Sequence, residues 1–328
     1  MADISRAELY KQLPLTTPFS LHIFPSYFCN FRCSYCLHSL SDEALKNMRF
    51  ERQMMPLDIY KKAIDDLSFF PDRFKALIFA GHGEPLTHPD IAKMVAYAKE
   101  KRAADRVEIV TNGSLLTQSL SRDLIDAGVD RLKISIQGTS ALKYKNVSSV
   151  DVDFDIFLKN LAWFYEHKTI TDVYIKIIDV ALDGKEDEER FQRLFAPLAD
   201  MAAVEYAIPF VKEIDYNSYG KNTGLAKQGH KAKGTMVCAM PFYMIVLAPN
   251  GDVLPCCSTE IPISFGNINE ESLSDIWNSS LRKRFLALQL RNRFDNAICA
   301  RCSVPNFGLQ EGDYLDDYKE ELTHLYNL

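Results

Sequence analysis

Ser20-Leu-His-Ile-Phe24 runs through four residues into Cys29-Asn-Phe-Arg-Cys33-Ser-Tyr-Cys36, and this junction sets how the rest of the chain is read. The first segment is short, apolar and followed by Pro25 and Ser26, the composition of a strand that ends in a turn. Three thiolates so closely spaced suit three irons of a cubane cluster, leaving the fourth iron without a protein ligand. A structural zinc site wants four closed ligands, usually two separated pairs. Here His38 would have to supply the fourth.

Outward from this junction, strands and helices alternate. The strands are expected at 20–24, 76–80, 106–111, 131–137, 172–180 and 204–210, all rich in Val, Ile and Phe. Helical periodicity fills 56–70, 89–102, 118–127, 154–167 and 186–200. Pro56 and Pro89 suit first-turn positions, and Gly128 stands where a C-terminal cap belongs. Parallel neighbours need covering crossovers, so the pattern predicts an α/β fold with parallel strands, and six strands suggest a partial (βα)6 barrel. Beyond 210 the periodicity lapses into a Gly-, Asn- and Lys-rich stretch. A hairpin turning at Asn250–Gly251 follows, then one helix from Ser272 through Trp277 to about Phe294, then a closing amphipathic helix over 313–326. The expected organisation is a barrel domain over 1–215, a linker over 216–236 and a small hairpin-plus-helix domain over 237–328.

With 328 residues, 47% hydrophobic and 25% charged, the chain is long enough to bury a full core and is not disordered or fibrous. A net charge of −6 argues against nucleic-acid binding. The longest apolar run, FYMIVLA, is too short to span a membrane. The opening MADISRAELYKQ lacks a secretory h-region, so a cytoplasmic address is expected. In a reducing compartment, clustered cysteines bind metal or do chemistry more often than they form disulfides.

The triplet resembles the C-x3-C-x-aromatic-C signature of the radical S-adenosylmethionine enzymes, with Tyr35 in the aromatic slot. The resemblance implies a [4Fe–4S] cluster on Cys29, Cys33 and Cys36 whose open iron binds S-adenosylmethionine. Reductive cleavage then gives a 5′-deoxyadenosyl radical that removes hydrogen from a substrate carbon. GHGEPL over 81–86 is similar to the family's Gly-Gly-Glu-Pro turn, which accepts the methionine ammonium; Gly83, Glu84 and Pro85 match, while His82 replaces the usual first glycine. Asn112, Ser135 and Gln137 end the next two strands and by resemblance lie near the cofactor. All these motifs fall at the carboxyl ends of strands, where parallel α/β sheets bind ligands.

Cys238, Cys256, Cys299 and Cys302, with Gly251 between the first two, resemble the SPASM or shorter twitch extension and imply four ligands to a second, auxiliary [4Fe–4S] cluster. A zinc ribbon is the local alternative. Cys257 is left over, either as a buried small hydrophobe or as a hydrogen-atom donor to a substrate radical. The ligand spacing looks like that of twitch-type aminocyclitol dehydrogenases. It points to oxidation of a secondary alcohol on a small hydroxylated substrate (a sugar, nucleotide sugar or cyclitol), the auxiliary cluster taking the electron and a flavodoxin- or ferredoxin-type protein supplying the reductant. Epimerisation through Cys257 is the second reading. Maturation of a ribosomal peptide is the third, made less favourable by the short stretch before Cys29. A non-catalytic metal-binding or electron-transfer protein is the fourth. Lys176 and Glu205 are candidate bases or polar anchors, each with a structural ion pair as its alternative; His230 is weaker.

Overall fold

Strands that alternate in polarity set one face against helices and leave the other for a lumen. The structure is a computed structural model that describes residues 7–219 and 224–327. Its strands are β1 (Ser20–Ile23), β2 (Ala76–Phe79), β3 (Val107–Thr111), β4 (Arg131–Ile136), β5 (Asp172–Ile178), β6 (Met201–Glu205), β7 (Met244–Leu247), β8 (Asp252–Leu254) and β9 (Gly266–Asn267). Leu132, Ile134 and Ile136 of β4 and Val173, Ile175 and Ile177 of β5 are buried in the main apolar core. Lys133, Ser135, Tyr174 and Lys176 occupy the opposite, half-buried face.

Between the strands lie α1 (Asp42–Asn47), α2 (Leu57–Asp66), α3 (Ile91–Glu100), α4 (Gln118–Asp126), α5 (Ala141–Ser148), α6 (Phe154–His167) and α7 (Lys185–Phe195). Leu124 of α4, Phe157 and Leu161 of α6 and Phe191 of α7 pack into the same core as the strands. β1 to β6 are parallel and adjacent in chain order, the arrangement of a partial (βα)6 barrel. The carboxyl-terminal third carries α8 (Met240–Tyr243), α9 (Leu273–Asn278), α10 (Ser280–Asn292), α11 (Ala297–Arg301), α12 (Val304–Gly308) and α13 (Lys319–Leu325). Rather than forming a separate sheet, β7 pairs in parallel with β1, and β8 and β9 extend it antiparallel, so one nine-stranded sheet runs through both parts.

Several elements differ from expectation for identifiable reasons. β6 lies at Met201–Glu205 rather than 204–210, because the Tyr206 and Ala207 amides leave the ladder for the Lys227 carbonyl and Asp179 Oδ1. The helix expected from Ser272 to Phe294 breaks at Ser279, whose extended backbone and hydroxyl cap α10 through the Arg282 amide. The described part of the expected linker is folded: Lys227 N bonds to Phe307 O, and Leu225 bridges Lys231. Two short helices, α1 and α5, were not expected from periodicity. The tail helix is shorter than 313–326, with only α13 and a preceding 3-10 turn at Asp316–Tyr318.

Inside the sheet, the fully buried Glu108 of β3 pairs with Lys133 (2.6 Å) and Arg106. Burial opposes its ionisation, but the two cations overcome this and hold its pKa below the usual value. Burial, with Lys133 beside it, drops His22 to about 4, so this imidazole is neutral. Glu108→Ala would leave Lys133 without its buried counter-charge and is expected to cost about 3 kcal/mol or more. Urea unfolding of the metal-free chain checks this. Because the folded-state pKa is depressed, the stabilisation belongs to neutral pH and is lost as the pH falls through that pKa.

Candidate active site

The cysteine loop after β1 is held by backbone bonds that the sequence did not advertise. Arg32 N and Ser34 N donate to the Ser148 and Val147 carbonyls at the end of α5, and Cys36 N donates to Cys33 O. The three sulfurs interact electrostatically, and burial pushes the Cys29 thiol up to about 12 and the Cys33 thiol well above its ordinary value. Thiolates in such surroundings need a cation, as iron would provide. The Tyr35 hydroxyl donates to Gln137 Oε1, while Gln137 Nε2 donates to Ser135 O (3.1 Å). The Tyr35 carbonyl accepts from Tyr216 (2.8 Å).

The turn after β2 packs directly on this loop. Gly83 is required sterically: a Cβ there would lie 2.2 Å from Ser26 O and 2.6 Å from Phe28 O. Glu84 N donates to Phe28 O (2.8 Å). Its carboxylate is buried and accepts from Leu86 N (2.9 Å), Thr111 Oγ1 (2.5 Å) and Asn112 N (2.7 Å). Burial raises its pKa to about 6 against the pull of those donors. Asn112 is engaged in the scaffold, its amide donating to Asn30 Oδ1 (2.9 Å) and its oxygen accepting from Ser114. His38, the fourth ligand of the zinc alternative, instead directs Nε2 to His82 O.

Lys176 and Glu205 come together: Nζ lies 2.6 Å from Glu205 Oε2 in a largely buried pair. In register, Ser135 neighbours Lys176 across β4 and β5, and Ile178 neighbours Glu205 across β5 and β6. A third partner escaped the sequence reading. Lys227, from the stretch taken as a linker, sits 3.4 Å from the same Glu205 oxygen. Burial, then Lys227, lowers Lys176 to about 8. Burial opposes ionisation of Glu205, yet the two lysines hold its pKa below the ordinary value. Cys257 is half-buried and feels the charge of Lys227, which ties it electrostatically to this group. His230 contributes its carbonyl to Ala226 N (2.7 Å).

Cys238, Cys256, Cys299 and Cys302 line one pocket with Met240, Phe285, Gln289, Arg293 and Val304, and Cys257 is not among the lining residues. Burial pushes Cys238 up to about 12. Gln289 Nε2 donates to Cys299 Sγ (3.7 Å), and the buried Arg293 donates to the Cys299 and Cys302 carbonyls. Among the described residues no three His, Cys, Asp or Glu side chains meet closely enough to hold a single metal ion. Thiolates around a cubane surround it rather than converge on a point, so four cysteines walling one pocket suit a cluster.

The sequence pattern of the Radical SAM superfamily matches residues 23–194, more than half of the chain. The protein is a radical SAM enzyme. Residues 238–303 match SPASM, an iron-sulfur cluster-binding domain. The radical SAM enzyme is 25% identical over 315 residues to the tungsten-containing aldehyde ferredoxin oxidoreductase cofactor-modifying protein of Pyrococcus furiosus, covering 84% of this chain and 85% of that one. It is 23% identical over 340 residues to the AdoMet-dependent heme synthase of Methanosarcina barkeri, covering 88% and 92%. Among solved structures, BtrN in complex with AdoMet and 2-DOIA shares the fold at a TM-score of 0.57 and 20% identity, covering 92% of this chain and 98% of BtrN. Streptococcus suis SuiB bound to precursor peptide SuiA does so at 0.63 and 17%, covering 95% and 77%. Membership brings a [4Fe–4S] cluster and S-adenosylmethionine, and the SPASM region brings auxiliary iron–sulfur binding. The arrangement of both cysteine groups fits these cofactors. No helix among the described residues is long and apolar enough to cross a membrane.

The tightest steric demand sits at Gly83. Gly83→Ala must move the Ser26 or Phe28 backbone, and is expected to lower the melting temperature by several degrees, roughly 1–3 kcal/mol by analogy with overpacked sites. Calorimetry of the purified variant against the parent checks this.

Proposed function

We propose that this radical SAM enzyme oxidises a secondary alcohol on a small hydroxylated substrate, such as a sugar, nucleotide sugar or cyclitol. Cys29, Cys33 and Cys36 would hold the amino-terminal cluster, and Cys238, Cys256, Cys299 and Cys302 the auxiliary one. Tyr35, Gly83, Glu84, Pro85, Asn112, Ser135 and Gln137 would frame the S-adenosylmethionine site, Asn112 and Gln137 through the scaffold bonds described above. Functionally, residues 1–215 would form the radical unit and 237–328 the auxiliary unit, joined by 216–236. A flavodoxin- or ferredoxin-type protein would supply electrons.

When bound, the first cluster and S-adenosylmethionine would supply hydrogen-atom abstraction at the carbinol carbon, and the auxiliary cluster would supply acceptance of one electron. The hydroxyl proton needs a base, and one observation carries the reading: a largely buried lysine of lowered basicity stands near the carboxyl end of β5. Lys176 Nζ would take the proton, and Glu205 would stabilise the ammonium so formed. The substrate thus gives up a hydrogen atom, a proton and an electron, which balances as a ketone. Glu84, ionised, would accept the methionine ammonium.

A second reading rests on Cys257. Its thiol lies outside the four-cysteine pocket and within electrostatic reach of Lys227, so hydrogen-atom donation to a substrate radical would be epimerisation. Incubating reconstituted enzyme with reductant, S-adenosylmethionine and candidate sugars or cyclitols in D2O separates the two. Oxidation yields product lighter by two hydrogens and is lost in Lys176→Met but retained in Cys257→Ala. Inverted product carrying solvent deuterium, abolished in Cys257→Ala with both clusters intact, would replace the dehydrogenase reading.

Glu84 gives a pH prediction. Its folded pKa of about 6 lies above that of a free carboxyl, so acid neutralises it early. Affinity for S-adenosylmethionine is expected to be flat above about pH 7 and to fall as the pH drops through 6. Glu84→Gln should bind roughly 10- to 100-fold more weakly at neutral pH and lose this dependence. Anaerobic calorimetry reads both.

A further inference from the structure

His82 stands where the family's turn has glycine, and the structure gives the ring a specific engagement. It is buried, and its edge meets Phe24 at 5.0 Å between ring centroids. Its Nε2 lies 3.0 Å from the carbonyl oxygen of Ser258. A carbonyl only accepts, so Nε2 carries the proton and donates. The same logic holds for His38, whose Nε2 lies 2.5 Å from the His82 carbonyl. Two imidazoles in series therefore connect the cysteine loop, two residues beyond Cys36, to the hairpin segment two residues beyond Cys256.

The connection does not stop at the backbone. Ser258 Oγ lies 3.8 Å from Cys302 Sγ, and both residues line the four-cysteine pocket. With the sulfur ionised as a cluster ligand, only the hydroxyl can donate. Hydrogen bonds to cluster sulfurs stabilise the reduced, more negative state and raise the reduction potential, and the outer partners that orient such donors tune the metal. The residue before Ser258 is Cys257 and the next bond anchors Thr259 Oγ1 to Phe210 O (3.2 Å). The Ser258 peptide is thus fixed by His82 on one side and by Thr259 on the other.

We infer that His82 is a positioning residue for the auxiliary cluster: by holding the Ser258 carbonyl it aims the Ser258 hydroxyl at Cys302 and sets the potential at which the cluster accepts an electron. This rests on Cys302 being a cluster ligand, as proposed above. A glycine at position 82 has no side chain to make the link. The two cofactor sites are thereby joined by hydrogen bonds as well as by the shared sheet.

The test uses the full chain in a Cys29→Ala/Cys33→Ala/Cys36→Ala background, so that only the auxiliary cluster contributes to the electron paramagnetic resonance signal. Iron content after anaerobic reconstitution comes first: about four irons per chain is expected from the four-cysteine assignment. Little or no bound iron would sink that assignment itself. With the cluster present, redox titration compares His82→Phe, which keeps the ring packing but removes the donor, with Ser258→Ala. Both are expected to shift the midpoint potential negative by similar amounts, and the double variant no further, since the two act through one contact. His82→Gln, which restores a side-chain donor, should recover most of the shift. An unchanged potential in His82→Phe, or additive shifts in the double variant, would overturn the inference while leaving the ligand assignment standing.

Discussion

A carboxylate buried at the ends of the strands has to be surrounded by donors, and Glu84 meets that requirement with three neighbours from two parts of the chain. Leu86 N comes from its own turn, while Thr111 Oγ1 and Asn112 N come from the end of β3. Its amide is fixed to Phe28 O, one residue before the first cysteine. The cysteine loop, the β2 turn and the β3 turn therefore share one polar hub. Even with three donors, burial leaves the carboxyl harder to ionise than a free one. A positive charge brought beside such a carboxylate would favour its ionised form.

The opposite flank of the sheet solves a different charge problem. Two lysines share one oxygen of Glu205, so the cluster carries an excess of positive charge where water is scarce. Burial, and after it the like charge of Lys227, lowers the basicity of Lys176. Perturbed groups of this kind mark functional sites more often than ordinary ion pairs do, though ion-pair networks also produce them. Glu108 is built the same way, a fully buried carboxylate between Lys133 and Arg106 whose pKa is held below the ordinary value by the two cations against the opposing effect of burial.

The auxiliary region is an extension of the barrel sheet rather than an appendage. β7 adds to β1 in parallel register from Ser20↔Met244 to Leu247, which fixes the hairpin beside the strand that leads into the cysteine loop. From there the chain reaches His82 through Ser258 and the Pro209 carbonyl through Ser303. Such polar contacts between distant segments are specific in a way that apolar packing is not, since each requires a donor and an acceptor at one distance.

The repeated short apolar segments and amphipathic stretches were enough to place β1 to β5 and five helices, because period two and period 3.6 are local properties. They failed where tertiary partners overrule local pattern: β6 ends at Glu205 because Lys227 and Asp179 claim the next amides, and α9 and α10 part at a serine that looks like any helical position. Cysteine spacing, read through the family resemblance, singled out two groups of cysteines, and the fold brings Cys238, Cys256, Cys299 and Cys302 round one pocket. Which polar residues meet across the fold was decided only in three dimensions. Lys227, His82 and Ser258 find their partners only in the folded chain, where Lys227 reaches Glu205 and His82 reaches the Ser258 carbonyl.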